Sequence, residues 1–266
     1  MSHIHIDVQN VSFGYEKGKE ILKDISFHGG ENDAIGLVGA NGVGKSTLLK
    51  LLVGLNTEYT GSIRVEEIPV EKDMLPQIRE KIGYVFQDSD SQLFMSTAYQ
   101  DIAFAPRNYG FPEEEVERRV NHALEMTGIT HLKDKQIFKM SGGEKKLVSI
   151  ATILSMTPDI ILMDEPSIAL DPRNRRNLIH ILNSFDHLKI IASHDLDMIL
   201  ETCNRTILMA DGKIICDGPT KEILTDKILL EGNGLELPMC MQHPVIREHA
   251  DEITKHNIVS VQYLHR

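Results

Sequence analysis

Cysteine is scarce in this chain. Cys203, Cys216 and Cys240 are the three among 266 residues, and none stands at a CxxC or Cys/His ligand spacing. That excludes a disulfide framework and a cysteine-held structural zinc, and it fits reduced thiols in a cytosolic setting. Long apolar runs are also missing. No stretch approaches the roughly 20 residues that a membrane helix needs. The opening "MSHIHIDVQN" has neither a basic n-region nor an apolar h-region, so no secretory signal is expected. Any membrane role would come through a partner. Positive charge is in deficit, with 28 Lys and Arg against 39 Asp and Glu and a formal net charge of −11. An acidic chain is a poor general nucleic-acid binder, and no nucleic-acid partner is expected. There is no short internal repeat and no low-complexity segment.

With 41% hydrophobic and 25% charged residues, the composition supports a full core in one large α/β domain or two small ones. Ile4, Ile6 and Val8 alternate with polar residues, as in a half-buried strand. "DAIGLVG", "KIGYVFQ", "DIILMDEP" and "LKIIASH" are short apolar runs that read as buried strands of a parallel sheet. "RTILMADGKIICDG" reads as a hairpin turning at Asp211-Gly212. Between about Ser96 and Pro158 the pattern becomes helical. In "FPEEEVERRVNHALEMTG" the residues Val116, Val120 and Leu124 fall at helical spacing, with acidic residues at the start and Gly128 as the stop. Strands alternating with helices predict a parallel α/β core interrupted by this helical block.

"GANGVGKST", Gly39 to Thr47, matches G-x-x-x-x-G-K-[ST] between a predicted strand and a predicted helix. Such a loop lets backbone N–H groups approach phosphates. Lys45 is expected at the β- and γ-phosphates and the Ser46 hydroxyl at Mg²⁺. Asp164 and Glu165 close the strand "IILM". Asp164 is placed to hold Mg²⁺ through its water shell, and Glu165 to accept a proton from an attacking water or to orient it. His194 follows another apolar strand, expected beside the phosphate-loop strand. From there it could donate to the γ-phosphate, although spacing alone favours an ordinary surface or core histidine. "KMSGGEKK" places a Ser-Gly-Gly turn at the start of a helical pattern. Free N–H groups at such a turn suit an anion.

Taken in order, these residues resemble the ATP-binding-cassette (ABC) ATPases over roughly residues 3–225. The resemblance implies a P-loop NTPase fold with a RecA-like core, an antiparallel β subdomain and an inserted α-helical subdomain. It divides the chain into an ATPase domain over 1–225, with the insert at about 88–158, and a C-terminal extension over 226–266. ATP and Mg²⁺ are the implied cofactors. Tyr15 in "FGYEKG" is similar to the aromatic residue that stacks on adenine. Asn41, Gly42, Gly44 and Thr47 belong to the phosphate loop, and Gln87 resembles the Q-loop glutamine that touches Mg²⁺ and senses a membrane partner. Ser141, Gly142, Gly143 and Glu144 resemble the signature motif, Asp171 the end of the D-loop, and His194 the switch histidine. In this family two ATPase subunits sandwich two ATP molecules, so the anion at the signature turn belongs to the other subunit. Lys145 and Lys146 are then expected on a solvated helix face. The signature departs from the commonest form at Met140, which stands for leucine, and at Glu144, which stands for glutamine and adds negative charge near the nucleotide.

"QDSDSQLFMSTAYQDIAF" is similar to the ATPases of energy-coupling-factor (ECF) transporters, and "HDLDMILETCNRTILMADGKIICDGPTKEIL" to their cobalt- and nickel-type members. That implies a second ATPase subunit, identical or not, an integral membrane coupling protein, a substrate-binding membrane subunit, and a peripheral site on the cytoplasmic face of the membrane. Phe94 is expected to line a docking groove rimmed by Asp88 and Asp90. Vitamin uptake is the alternative within this class. A non-transport ABC ATPase, such as that of iron–sulfur cluster assembly, shares "SGGEKK" and is the alternative outside it. The tail carries His243, His249, His256 and His265 at spacings that fit no compact ligand set. It reads as a short helix followed by a strand.

Overall fold

A computed structural model describes residues 4–242 of the chain; the four tail histidines lie outside the described residues. The strands are β1 (Ile4–Phe13), β2 (Leu22–Gly30), β3 (Ala34–Val38), β4 (Thr60–Val65), β5 (Ile68–Pro69), β6 (Ile82–Val85), β7 (Ile160–Asp164), β8 (Leu188–Ala192), β9 (Arg205–Ala210) and β10 (Lys213–Pro219). They form two sheets. An antiparallel one runs β2-β1-β4-β5, and a larger one runs β10-β9-β3-β8-β7-β6. In the larger sheet all neighbours are parallel except β9 and β10. The β9–β10 hairpin turns at Asp211 and Gly212, both at positive φ, as its sequence predicts.

The apolar runs are buried because helices and the second sheet cover both faces of the parallel sheet. One core lies between the two sheets, built from Ile6, Val8, Leu22, Ile35, Leu49 and Leu162 among others. Ile6 and Val8 enter it as the alternation predicts, whereas Ile4 at the strand's outer end stays exposed. The second core lies under the helical insert. The helices in chain order are α1 (Lys45–Leu52), α2 (Leu75–Lys81), α3 (Ala98–Asn108), α4 (Glu113–Met126), α5 (Gly142–Leu154), α6 (Pro172–Ser184) and α7 (Leu196–Thr202), followed by short helices after β10. Val116, Val120, Ala123 and Leu124 put one face of α4 into the insert's core. Glu113, Glu114 and Glu115 sit in its first turn, where carboxylates complement the helix dipole. Gly128 at φ 69° ends the run.

In-register parallel pairing brings Leu37 beside Ala192, Asp164 beside Ala192, and Val85 beside Met163. The loops after β3, β6, β7 and β8 therefore leave one edge of the sheet, where open α/β sheets bind ligands.

Helix α5 sits directly on β6. At Gly83 a Cβ would meet Ile153 Cγ2 at 1.9 Å. Gly83→Ala should therefore overpack this contact and cost about 1–3 kcal/mol, lowering the melting temperature by several degrees. Removing the clashing Cγ2 in Gly83→Ala/Ile153→Ala should make the two losses less than additive. An unchanged melting temperature in the single variant would contradict the close seat of α5 on β6.

Candidate functional site

The loop between β3 and α1 is built on glycines that need their freedom. Gly39 (φ 153°) leaves no room for a side chain, since its Cβ would stand 2.3 Å from the Met209 carbonyl. Gly44, at φ 108°, precedes α1 without any side-chain cap, so the first N–H groups of the helix face the loop's interior. Lys45 is buried there, and its Nζ donates to the carbonyls of Gly39 (2.7 Å) and Ala40 (3.1 Å). Burial lowers its pKa, and the nearby charges of Glu165 and Asp164 oppose that shift. A cavity of about 530 Å³ opens at this point. Asn41, Gly42, Gly44, Lys45, Ser46 and Thr47 form one wall, and Gln87, Glu165 and His194 form the other.

The carboxylate pair meets the loop directly. Ser46 Oγ donates to Asp164 Oδ1 at 2.9 Å, and the Tyr84 hydroxyl approaches the other oxygen at 3.4 Å. Burial raises the Asp164 pKa; the Ser46 hydrogen bond works against it and Glu165 adds to it. Glu165 is buried and takes a left-handed backbone, φ 47°. Such a conformation costs of order 1–3 kcal/mol in a non-glycine residue and persists only when its surroundings hold it. Several bonds do so. Its N–H donates to the Ala192 carbonyl (2.8 Å), and Oε2 accepts from Ser193 Oγ (3.1 Å) and the His194 N–H (3.2 Å). His194 Nδ1 lies 2.8 Å from the same oxygen, with the ring 58% exposed toward the cavity. The hydroxyl of Ser46, the carboxylate of Asp164 and the amide oxygen of Gln87 are hard donors. Their chemistry fits Mg²⁺ and not a thiolate- or imidazole-seeking metal.

The signature turn does not line that cavity, but its Gly142 borders an adjoining cleft with Ser46, Gln87 and Asp164. Ser141 caps α5 in a closed capping box, with Ser141 Oγ accepting from the Glu144 N–H (3.2 Å) and Glu144 Oε2 from the Ser141 N–H (2.8 Å). Lys135 Nζ donates to both Glu144 oxygens, at 2.7 and 2.8 Å. The negative charge that glutamate introduces here is thus paired within the chain. Gly143 packs so closely on the D-loop that a Cβ would stand 3.0 Å from the Ala169 carbonyl. Ser141 and Gly142 are exposed. Asp171 is exposed and caps α6 by accepting from the Asn174 N–H at 2.8 Å. Tyr15, 57% exposed, stands edge-on to Phe13 and lines a separate hollow with Leu55. Within one chain, then, Gln87, Lys45, Ser46, Asp164, Glu165 and His194 are brought together. Tyr15, Ser141, Gly142, Gly143 and Asp171 do not line that phosphate cavity.

The expectation of a solvated face at Lys145 and Lys146 is overturned. Lys145 pairs with Asp90 at 2.5 Å. Lys146 is 2% exposed and donates to the Phe86 and Gln87 carbonyls at 2.9 and 2.7 Å. Burial pushes its pKa down to about 8 against the pull of Asp164, Asp88 and Glu165. The helical period carried the signal, because Lys146 follows Gly143 by three positions and precedes Ile150 by four, all on the buried face. Ser193, which anchors Glu165, had no such signal.

Lys135 holds the Glu144 carboxyl below its ordinary pKa, with the Ser141 N–H second. A depressed carboxyl contributes stability that is full above its unfolded pKa and is lost as pH falls through the folded value. Lys135→Met should therefore raise the Glu144 pKa in a carbon-detected NMR titration. It should destabilise the protein at neutral pH and match the wild type once Glu144 is protonated in both. An unmoved Glu144 pKa would sever the pair.

The ABC transporter family profile matches residues 22–168. A Geobacter sulfurreducens protein provisionally named as an ABC transporter ATP-binding protein is 47% identical over 91% of this chain and 97% of its own length. The energy-coupling factor transporter ATP-binding protein EcfA of Carboxydothermus hydrogenoformans is 37% identical over 90% of each chain. Among solved structures, CbiO1 of Clostridium perfringens, part of the ABC transporter complex CbiONQ, superposes with a TM-score of 0.76 at 34% identity, covering 86% of this chain and 94% of its own. The ATP-binding cassette MJ0796, solved as a dimer with ADP and phosphate, superposes with a TM-score of 0.74 at 25% identity, covering 81% and 98%. The phosphate loop, its buried carboxylates and these relatives lead to one conclusion: the chain belongs to the ATP-binding proteins of ABC transporters and hydrolyses ATP to energise a transporter.

Proposed function

We propose that this chain is the ATPase of an ECF-type importer, working as a dimer beneath an integral membrane coupling protein that carries a separate substrate-binding subunit. Cobalt or nickel ions are the proposed cargo, following the sequence resemblance. The observation that carries this reading is the surface that follows Gln87. There Phe94 is 65% exposed and stacked edge-on against Phe104 at 4.8 Å. The buried Asp101 carboxylate accepts from the N–H groups of Phe94 (3.1 Å) and Met95 (3.2 Å) and so holds the ring outward. An exposed aromatic side chain on a turn fixed in this way suits a protein partner. The similarity to EcfA and CbiO1 supports the same class. The acidic rim is less open than its sequence suggests, because Asp90 pairs with Lys145 and Asp88 caps its own turn. Among the described residues no helix is long and apolar enough to cross a membrane, and no cluster of His, Cys, Asp or Glu is arranged to hold a metal ion. Cargo selection is therefore assigned to the membrane subunits.

In this reading Tyr15 meets the adenine, Lys45 and the loop N–H groups hold the phosphates, and Ser46, Asp164 and Gln87 would hold Mg²⁺, which would supply charge neutralisation to the nucleotide. Glu165 takes the proton of the water that attacks the γ-phosphorus as the bond to ADP breaks. His194 orients that carboxylate and donates to the phosphate. Ser141, Gly142 and Gly143, with Glu144 neutralised by Lys135, meet the γ-phosphate bound by the second subunit, and Asp171 lies at the same seam. The ATPase domain is assigned to 1–225, with the insert at about 88–158, and 226–266 to a C-terminal extension, whose Leu230 is buried in the core beneath the insert.

Glu165→Gln should leave ATP binding intact and lower turnover by roughly 10²–10⁴-fold, measured by nucleotide titration and phosphate release. Near-normal turnover would remove Glu165 from the chemistry.

Phe94→Ala should keep ATP binding and weaken association with the membrane subunits by about 2 kcal/mol, as for a buried interface anchor. Copurification from detergent and cobalt or nickel uptake into proteoliposomes provide the measurement. Full assembly with normal uptake would refute this docking surface, and assembly with uptake of a vitamin alone would reassign the cargo.

A further inference from the structure

The buried lysine of the signature helix has no part in the scheme above. Residues 86–92, the Q-loop, run beside α5, and a cleft of about 480 Å³ opens between them at the nucleotide end. Three sets of polar ties span the two. Lys145 reaches Asp90 at the exposed rim. Gln92 donates to the Ser149 carbonyl (2.8 Å) and Thr152 Oγ1 (2.9 Å) while accepting from the Phe86 N–H (3.2 Å). Lys146 donates to the carbonyls of Phe86 and Gln87.

The third tie differs from the others in where it sits and what it fixes. Lys146 bonds Gln87 itself, and two consecutive carbonyls turned to one ammonium set the direction of the backbone from which the Gln87 side chain leaves. Burying an ammonium loses hydration, and ordering a lysine loses rotamer freedom. An apolar side chain of similar volume generally serves stability as well as a buried charge does. Packing alone therefore gives no reason for a lysine here. Along α5 it stands five residues from Ser141, about 7.5 Å at 1.5 Å per residue. A rigid helix of that length carries any displacement of the signature turn to the Lys146 ammonium, and from there to Gln87.

We propose that Lys146 is a positioning residue that ties the Gln87 backbone to the signature helix, so that Gln87 and the Ser141–Gly143 turn move as one body. This rests on the reading of Gln87 as the residue on the Mg²⁺ side of the nucleotide. A membrane partner that shifts the Q-loop then shifts the signature turn with it, and Mg²⁺ alignment in one site is set together with phosphate contact in the other.

A double-mutant cycle on the full chain tests this, with steady-state ATP hydrolysis as the readout and circular dichroism to verify folding. Lys146→Met should lower kcat roughly tenfold, within the range for directly bonded neighbours, with KM for ATP changed less than about threefold because the phosphate loop is untouched. Lys146→Arg, which keeps charge and donors, should recover most of kcat. Gln87→Ala should lower kcat, and Lys146→Met added to it should lower kcat no further. If the two losses multiply, or if Lys146→Met leaves kcat unchanged, the tie does not act through Gln87 and the proposal falls. If Gln87→Ala alone leaves kcat unchanged, the reading of Gln87 fails first and takes the proposal with it. Should Lys146→Met not fold, Lys146→Gln takes its place in the cycle. If neither folds, Lys146 is a stability residue and the proposal is overturned.

Discussion

Everything functional in this molecule depends on the parallel hydrogen-bond register of β6, β7, β8 and β3. The strands are short, and their pairs are nearly level. The chain therefore leaves all four at one edge, and four loops distant in sequence meet within one cavity. A one-residue slip in any pair would move each side chain from one core to the other. It would also draw Asp164 away from Ser46, a contact of 2.9 Å across 118 residues of sequence. The apolar cores on both faces of the sheet hold the register, because every strand position from Ile160 to Asp164 and from Leu188 to Ala192 is buried.

The same burial creates the site's electrostatics. Lys45, Asp164, Glu165 and Lys146 all lie below the surface, where an unpaired charge is expensive and a paired one interacts strongly. Desolvation lowers the pKa of both lysines and raises that of Asp164, and in each case neighbouring opposite charges or donors restrain the shift. Ser46, Ser193, His194 and the loop carbonyls already orient the charged groups of this cavity. Little reorganisation remains for the moment of reaction.

The helical insert obeys a different logic. Its core is apolar and continuous with the sheet face that carries Val85, Ile161 and Met163, while its link to the sheet edge near the cavity is polar, through Lys145, Lys146 and Gln92. Polar ties beside a cleft allow one body to turn on another while keeping chosen atoms in register. At the N-terminus of α5 the exposed Ser141 and Gly142 sit on a capping box whose carboxylate is neutralised by Lys135. A glutamate in place of the usual signature glutamine is therefore compatible with a nearby anion.

The phosphate loop, the Asp-Glu pair at a strand end, the β-hairpin and the helical block were legible in the sequence, because local rules govern them: glycine at positive φ, a buried strand read as an apolar run, a helix read by its 3.6-residue period. The order of the strands, the meeting of Ser46 with Asp164 and the clamp of Ser193 and His194 on Glu165 were decided by tertiary structure, since each joins segments far apart in the chain. Lys146 lies between these cases. Its period announced a buried face, but its charge suggested solvent, and only the Q-loop carbonyls, 59 and 60 residues away, made burial of that charge tolerable. Local sequence determines what a residue prefers. Burial of its partners determines whether that preference is met or overruled.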